Sequence, residues 1–157
     1  MLPIIFVMPI VQLLILVNAA NFEIKSIEYA VLDQDHSQTT MNIVNKLNST
    51  GYYKLIALPK NMEAGKELMD AGKIDLMLVF PSKFEERLIR EGSDKIKVEV
   101  NAIDGSAASV IFYYTNSIIA DYNQDIIADW NRIPKTLNAG VAVETRYWYN
   151  EELLYKN

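Results

Sequence analysis

Cysteine is absent from the chain and histidine occurs once, at His36. Without thiols there is no disulfide framework, thiolate metal centre or cysteine nucleophile. One imidazole also excludes the zinc sites that take two or three histidines, so metal chemistry would rest on carboxylates alone. Charge is missing from one end: all 15 basic and 20 acidic residues fall from Glu23 onward. The charged part carries the whole net charge of −5, and an acidic surface of mixed sign argues against nucleic acid as a partner. No internal repeat, linker or low-complexity segment stands out, and 157 residues have room for one domain.

The uncharged stretch is Met1 to Ala20 (MLPIIFVMPIVQLLILVNAA), in which Gln12 and Asn18 are the only polar side chains. A helix of ~20 residues spans ~30 Å, the thickness of bilayer hydrocarbon. Residues 1–20 therefore read as a transmembrane helix or its remnant, and residues 21–157 as an α/β domain beyond it. Pro3 and Pro9 would break a soluble helix, but neighbouring membrane helices can satisfy the freed carbonyls; this points to a bundle. Two other readings compete. A cleaved signal peptide could end near Val17-Asn18-Ala19 but lacks a basic leading region. A buried core helix of this length should show a polar face and does not. Flanking charge sets no orientation, because Lys25 is the one nearby basic residue, and a missing upstream region would explain this.

Beyond residue 26, short β-rich runs alternate with helical stretches, the pattern of a βαβ architecture. Ile27 to Asp33 reads as a buried strand, followed by a helix from about Ser37 to Leu47. Tyr52 to Leu58 is the second strand and Asn61 to Ala71 the second helix, with Gly72 past its end; Ile74 to Phe80 is the third strand, stopped by Pro81. A third helix over Ser82 to Glu91 is expected to be capped by Ser82 and to end at Gly92. From Ile96 to Ile103, apolar Ile96, Val98 and Val100 alternate with Lys97, Glu99 and Asn101, the signature of a half-exposed strand. Ser106 to Trp130 is the longest helix, with Ile111, Tyr114, Ile118, Tyr122, Ile126 and Trp130 as its predicted core stripe. Val141 to Tyr149 closes the chain as a strand. The fold class is α/β: a mostly parallel sheet of four to five strands with helices on both faces. Its order is βαβαβαβ, then a long helix and a closing strand, preceded by one transmembrane helix. Short crossovers suggest strand order 2-1-3-4 and leave the fifth strand open.

Asp33-Gln34-Asp35-His36-Ser37 is the sharpest chemical signal. It resembles the D-x-D opening of haloacid-dehalogenase-like phosphatases, in which the first Asp is the nucleophile and the second the acid. Two carboxylates beyond a strand end could share Mg²⁺ and a phosphate. The later acidic pair that such an enzyme needs is missing, since the third strand ends in Phe80-Pro81; the same Phe80 excludes a response-regulator receiver. The alternative is structural: Asp35 and Ser37 as N-caps of the next helix, and Asp33 closing the turn onto backbone amides. Asp104-Gly105-Ser106 likewise reads as a turn and N-cap rather than an anion site. Tyr147, Trp148 and Tyr149 form a dense aromatic cluster that could sit at the lipid headgroups or line a partner surface; a strand packing Tyr147 and Tyr149 inward is the competing reading. No residue is assigned to catalysis, a cofactor or a metal.

Taken together and in order, five segments resemble a permease subunit of the type-2 class of ATP-binding-cassette (ABC) exporters. They are Met8-Pro-Ile-Val-Gln-Leu-Leu14, Ala30-Val-Leu-Asp-Gln-Asp-His-Ser37, Gly72 through Phe84, Asn101-Ala-Ile-Asp-Gly-Ser106 and Arg146-Tyr-Trp-Tyr-Asn150. Glu151 stands where the family pattern usually has proline, which leaves the direction of the exit strand open. The resemblance implies a first membrane helix, a large extracytoplasmic domain and five more membrane helices, with ATP hydrolysed by a separate cytoplasmic subunit. It further implies a second permease copy, a periplasmic adaptor protein and membrane lipid as partners. Residues after about Asn21 would lie outside the bacterial inner membrane, taking part in efflux by gating or by docking accessory proteins. Two alternatives stand beside it: a membrane-tethered ligand-binding or sensor domain with a groove at the strand ends, and a Mg²⁺-dependent phosphatase using Asp33 and Asp35.

Overall fold

The computed structural model of the chain describes residues 2–19, 26–130 and 140–148, with side chains at 7–15, 26–125 and 140–148. The first element, α1 (Leu2–Ala19), is an 18-residue helix with Pro9 inside it. At 1.5 Å per residue it is ~27 Å long, just under the ~30 Å hydrocarbon layer. Among the described residues, no helix is long and apolar enough to cross a membrane.

Nine elements follow: β1 (Ile27–Asp33), α2 (Gln38–Ser49), β2 (Tyr53–Ala57), α3 (Met62–Asp70), β3 (Leu76–Phe80), α4 (Phe84–Glu91), β4 (Ser93–Asn101), α5 (Gly105–Trp130) and β5 (Gly140–Trp148). The strands form one five-stranded sheet in the order β2-β1-β3-β4-β5. The first four take the expected places, and β5 occupies the edge beside β4. β1 is parallel to β2 and to β3, and β4 is parallel to β5, but β3 and β4 are antiparallel. The sheet is thus mostly parallel, as expected, with one reversal at β4. The reversal falls at the shortest connection between successive strands: residues 81–92 join β3 to β4, whereas 34–52 and 58–75 make the two parallel crossovers before it. The chain does not return to the start of β3, and β4 leaves from the end where β3 finished.

Alternation along the strands sends side chains to two cores. Tyr29, Val31, Leu76, Leu78, Phe80, Ile96, Val98 and Val100 meet Ile43 and Leu47 of α2, Phe84 and Leu88 of α4, and Ala108, Ile111 and Ile119 of α5. On the other face, Ala30, Leu32, Met77 and Val79 pack with Met69 and Ile74, and only α3 covers them among the described elements. Helices on both faces bury β3 throughout, which is why it reads as an unbroken apolar run. Each such fully buried side chain contributes roughly 1.5–3 kcal/mol, and a Leu78→Ala cavity at the centre would cost about 2–5 kcal/mol.

Three expectations need correction. Of the predicted α5 stripe, Ile111 is buried and Ile118 and Tyr122 pack against the core, but Tyr114 is 41% exposed and the inward face centres on Ala108, Ile111, Thr115 and Ile119; the side chains of Ile126 and Trp130 lie outside the described ones. The turn from residue 111 to 115 keeps one helical face inward, and Tyr114 falls a third of a turn away from it. β4 alternates as expected at Ile96, Val98 and Val100 against part-exposed Lys97 and Asn101, but it lies inside the sheet and Glu99 is only 1% exposed. Helix α4 begins at Phe84, with Lys83 at its N-cap position and no side-chain cap from that residue. Ser82 does not cap it.

Candidate functional site

The single antiparallel pairing decides where the chain enters and leaves the domain. Because β5 follows β4 and β4 opposes β3, β5 runs against β1. The start of β1 and the end of β5 therefore lie at the same end of the sheet. A row of backbone hydrogen bonds crosses that end: Ile27 N–H donates to Tyr52 C=O (2.7 Å), Asp75 N–H to Glu28 C=O (2.7 Å), Asn101 N–H to Asp75 C=O (2.9 Å), and Ala102 N–H to Trp148 C=O (2.9 Å). Three strand spacings of ~4.8 Å separate β1 from β5, so entry and exit stand ~14 Å apart.

Aromatic residues gather around this end. Tyr147 meets the edge of Phe112 on the α5 side, with ring centroids 6.3 Å apart. Trp148 faces the opposite side, donating from Nε1 to Asp70 Oδ1 at 2.8 Å, with Lys66 Nζ 4.7 Å above its ring. Two neighbours of the sequence cluster thus serve different faces, as alternation requires. Tyr149 lies outside the described residues. A second set was not visible as a cluster in the sequence: Tyr52 stacks on Tyr114 (6.4 Å), and Tyr113 sits edge-on to Tyr114 (6.1 Å). Sixty residues separate its members, so only the packing of α5 over the β2 end unites them.

The far end of the sheet holds the acidic turn. Asp33 Oδ1 accepts from the N–H groups of Asp35 and His36, both at 2.9 Å, and its Oδ2 accepts from Thr40 Oγ1 at 2.7 Å. Ser37 is the N-cap of α2, its Oγ accepting from Thr40 N–H. Asp35 does not cap α2. Its two carboxylate oxygens accept from Phe84 N–H and Glu85 N–H, each at 3.0 Å, at the start of α4. Glu85 returns the bond, its Oε1 accepting from Thr39 N–H (3.1 Å) and Thr39 Oγ1 (2.6 Å) at the start of α2. The two helices cap each other. Burial alone would raise the Asp35 carboxyl, but the backbone donors of Glu85, Phe84 and Lys83 and the Ser37 hydroxyl outweigh it and hold it below the usual carboxylate value. Asp104 repeats the local version: its Oδ1 accepts from Ser106 and Ala107 N–H at 2.9 and 3.1 Å, Gly105 being the first residue of α5. The carboxylates that suggested chemistry are spent on backbone donors and on the Thr40 hydroxyl, and among the described residues no cluster of three His, Asp or Glu side chains could hold a metal.

Beside this turn lies a groove of about 640 Å³ at the carboxyl ends of β1 and β2. Leu32, Met41, Val44, Leu55 and Leu58 form its apolar wall, and His36 and Lys60 also line it. The location is where open α/β sheets present loops to ligands.

Comparison with known proteins follows the same lines. Residues 1–156 match the family described as ABC-2 family transporter protein. Over 153 residues the chain is 22% identical to a protein of Escherichia coli strain K12 named "Probable multidrug ABC transporter permease YbhR", and equally to its namesake in Escherichia coli O157:H7. The match covers 97% of this chain and 40% of each relative, so the chain spans about two fifths of their length. A crystal structure of a domain assigned to an ABC type-2 transporter from Thermotoga maritima MSB8 has a TM-score of 0.55 at 13% identity, covering 81% of this chain and 94% of that one. At that identity the likeness is one of fold.

Proposed function

The chain belongs to the ABC-2 family of transporter proteins, and from that premise we propose that residues 26–148 form an extracytoplasmic domain threaded between membrane helices of an exporter permease. Residues 1–20 supply the first of those helices. The family is one of transport proteins rather than catalysts, so in this reading ATP is hydrolysed on a separate cytoplasmic subunit that works with two permease copies. A periplasmic adaptor and the surrounding lipid are further partners.

The observation that carries the reading is the shared end of entry and exit. A domain inserted between two helices on one side of a membrane must return its chain to the surface it left. Antiparallel β4 achieves this; an all-parallel sheet would deliver β5 to the far end. The same end would face the bilayer, leaving the groove and the mutually capped helices pointing away. Closure of the cytoplasmic partner would then move a cross-braced body rigidly with α1, gating the exit path or presenting the outer end to an accessory protein.

The absence of cysteine makes the test direct. With Lys60→Cys introduced, a membrane-impermeant maleimide should label the protein in right-side-out membrane vesicles without permeabilisation. Labelling only after permeabilisation would place the domain on the cytoplasmic side and end the proposal. The groove favours a second reading, a membrane-tethered domain that senses a small molecule; a ligand that raises the melting temperature, blunted by Leu58→Asp, is its expected sign. The phosphatase alternative gains no support from geometry in which Asp33 and Asp35 are already bonded.

A further inference from the structure

Large apolar side chains are exposed in several places on the α/β domain, Met41, Ile56, Leu58, Ile89 and Tyr147 among them. Tyr52 (56%), Ile103 (59%), Val110 (43%), Tyr113 (71%) and Tyr114 (41%) stand out around the entry–exit end and the first third of α5. None of the five belongs to the Tyr147–Trp148 pair that the sequence singles out. Four of them lie together: Tyr52 stacks on Tyr114, Tyr114 contacts Tyr113, and Val110 lies one helical turn before them on the outward side of α5.

We propose that this tyrosine-rich surface rests on the lipid headgroup layer and holds the domain against the membrane. The inference rests on the proposed membrane placement of α1, and three observations commit it to lipid. First, the surface is tied to the chain's entry: the carbonyl of Tyr52 accepts from Ile27 N–H at 2.7 Å. Second, covalent reach is short. Seven residue steps separate Ala19, the end of α1, from Ser26, at most ~25 Å of chain, so a helix in the bilayer keeps this end of the domain near the surface. Third, the chemistry suits the interface. Tyrosine joins an apolar ring to a hydroxyl that stays wet, which favours the boundary between acyl chains and water. With an acidic chain, the contact depends on rings rather than on attraction to anionic lipid, so it should persist on zwitterionic membranes and change little with salt.

The test uses the full chain reconstituted in phosphatidylcholine vesicles, with an environment-sensitive fluorophore on one introduced cysteine at a time. Val110→Cys reports the tyrosine surface, Leu13→Cys reports α1 and Leu58→Cys the outer end. The quenchers are phosphatidylcholines spin-labelled at the headgroup or deep in the acyl chain. Headgroup quenching at Val110→Cys at least twofold above Leu58→Cys, reduced towards the Leu58→Cys level when Tyr52→Ser and Tyr113→Ser are added, is the expected result. Deep quenching at Leu13→Cys with Val110→Cys no better than Leu58→Cys overturns the lipid contact and leaves the membrane helix standing. Failure at Leu13→Cys with quenching retained at Val110→Cys supports the contact and removes the helix. Oxidative cross-linking between two Val110→Cys copies without lipid quenching overturns the proposal in favour of a second copy of this chain.

Discussion

At the scale of single residues, position in the fold decides what each acidic side chain does. Asp35 is the clearest case, because it serves a helix 49 residues away. Asp35→Ala should destabilise the chain in detergent by about 1–2 kcal/mol, the usual worth of an N-cap, as measured by denaturant unfolding at pH 7. Its depressed carboxyl supplies stability that is present above the ordinary carboxylate value near ~4 and lost as pH falls through the lower folded value. The gap between wild type and variant should therefore narrow on acidification below the ordinary carboxylate value. Tyr29 gives the opposite pH edge. Burial, opposed by the hydrogen bond to Asn48, raises its hydroxyl to about 12, so the neutral form stabilises the fold below pH ~10 and that contribution fades as pH climbs towards 12. Tyr29→Phe should flatten this alkaline loss in the same unfolding measurement. Glu99 is buried with Lys97 Nζ 2.6 Å from its Oε1, in a geometry that forms a charge pair without a well-aligned hydrogen bond. Lys97→Met should cost about 3 kcal/mol or more by stranding the carboxylate. Adding Glu99→Gln should recover most of it, a non-additivity that a double-mutant cycle reads out.

At the scale of elements, the helices are tied to one another as much as to the sheet. Lys46 of α2 reaches Asp121 (2.7 Å) and Asp125 (2.5 Å) of α5; desolvation opposes its charge, but the two carboxylates prevail and raise its proton affinity. Asn123 holds β5 by donating to Val141 C=O (2.9 Å) and accepting from Val141 N–H (2.7 Å). Asn123→Ala should cost about 1–3 kcal/mol by leaving both partners unsatisfied. Amide exchange at Val141 should accelerate far more than at Leu78, because the loss is local to the edge strand.

At the scale of the whole molecule, entry and exit ~14 Å apart make the domain removable in principle. In a permease that contains this chain, residues 26–148 replaced by an eight-residue Gly/Ser linker, with a mean span of ~15 Å, should leave the flanking segments in the carbonate-resistant membrane fraction. Loss of both from that fraction would contradict the shared end.

What the sequence determined by itself is whatever depends on local spacing and composition. The uncharged N-terminus, the alternation of strands and helices, the apolar run of β3 and the order of the first four strands are all legible there, because side-chain period and short connections are properties of neighbouring residues. Asp33 and Ser37 bond within their own turn, so their roles are legible too. The reversal at β4, the capping of α4 by Asp35, the burial of Glu99 and the meeting of Tyr52 with Tyr114 are not. Each depends on which segments lie side by side, and strand direction, burial and cross-helix hydrogen bonds are fixed only when residues far apart in the chain compete for one place in the packed core.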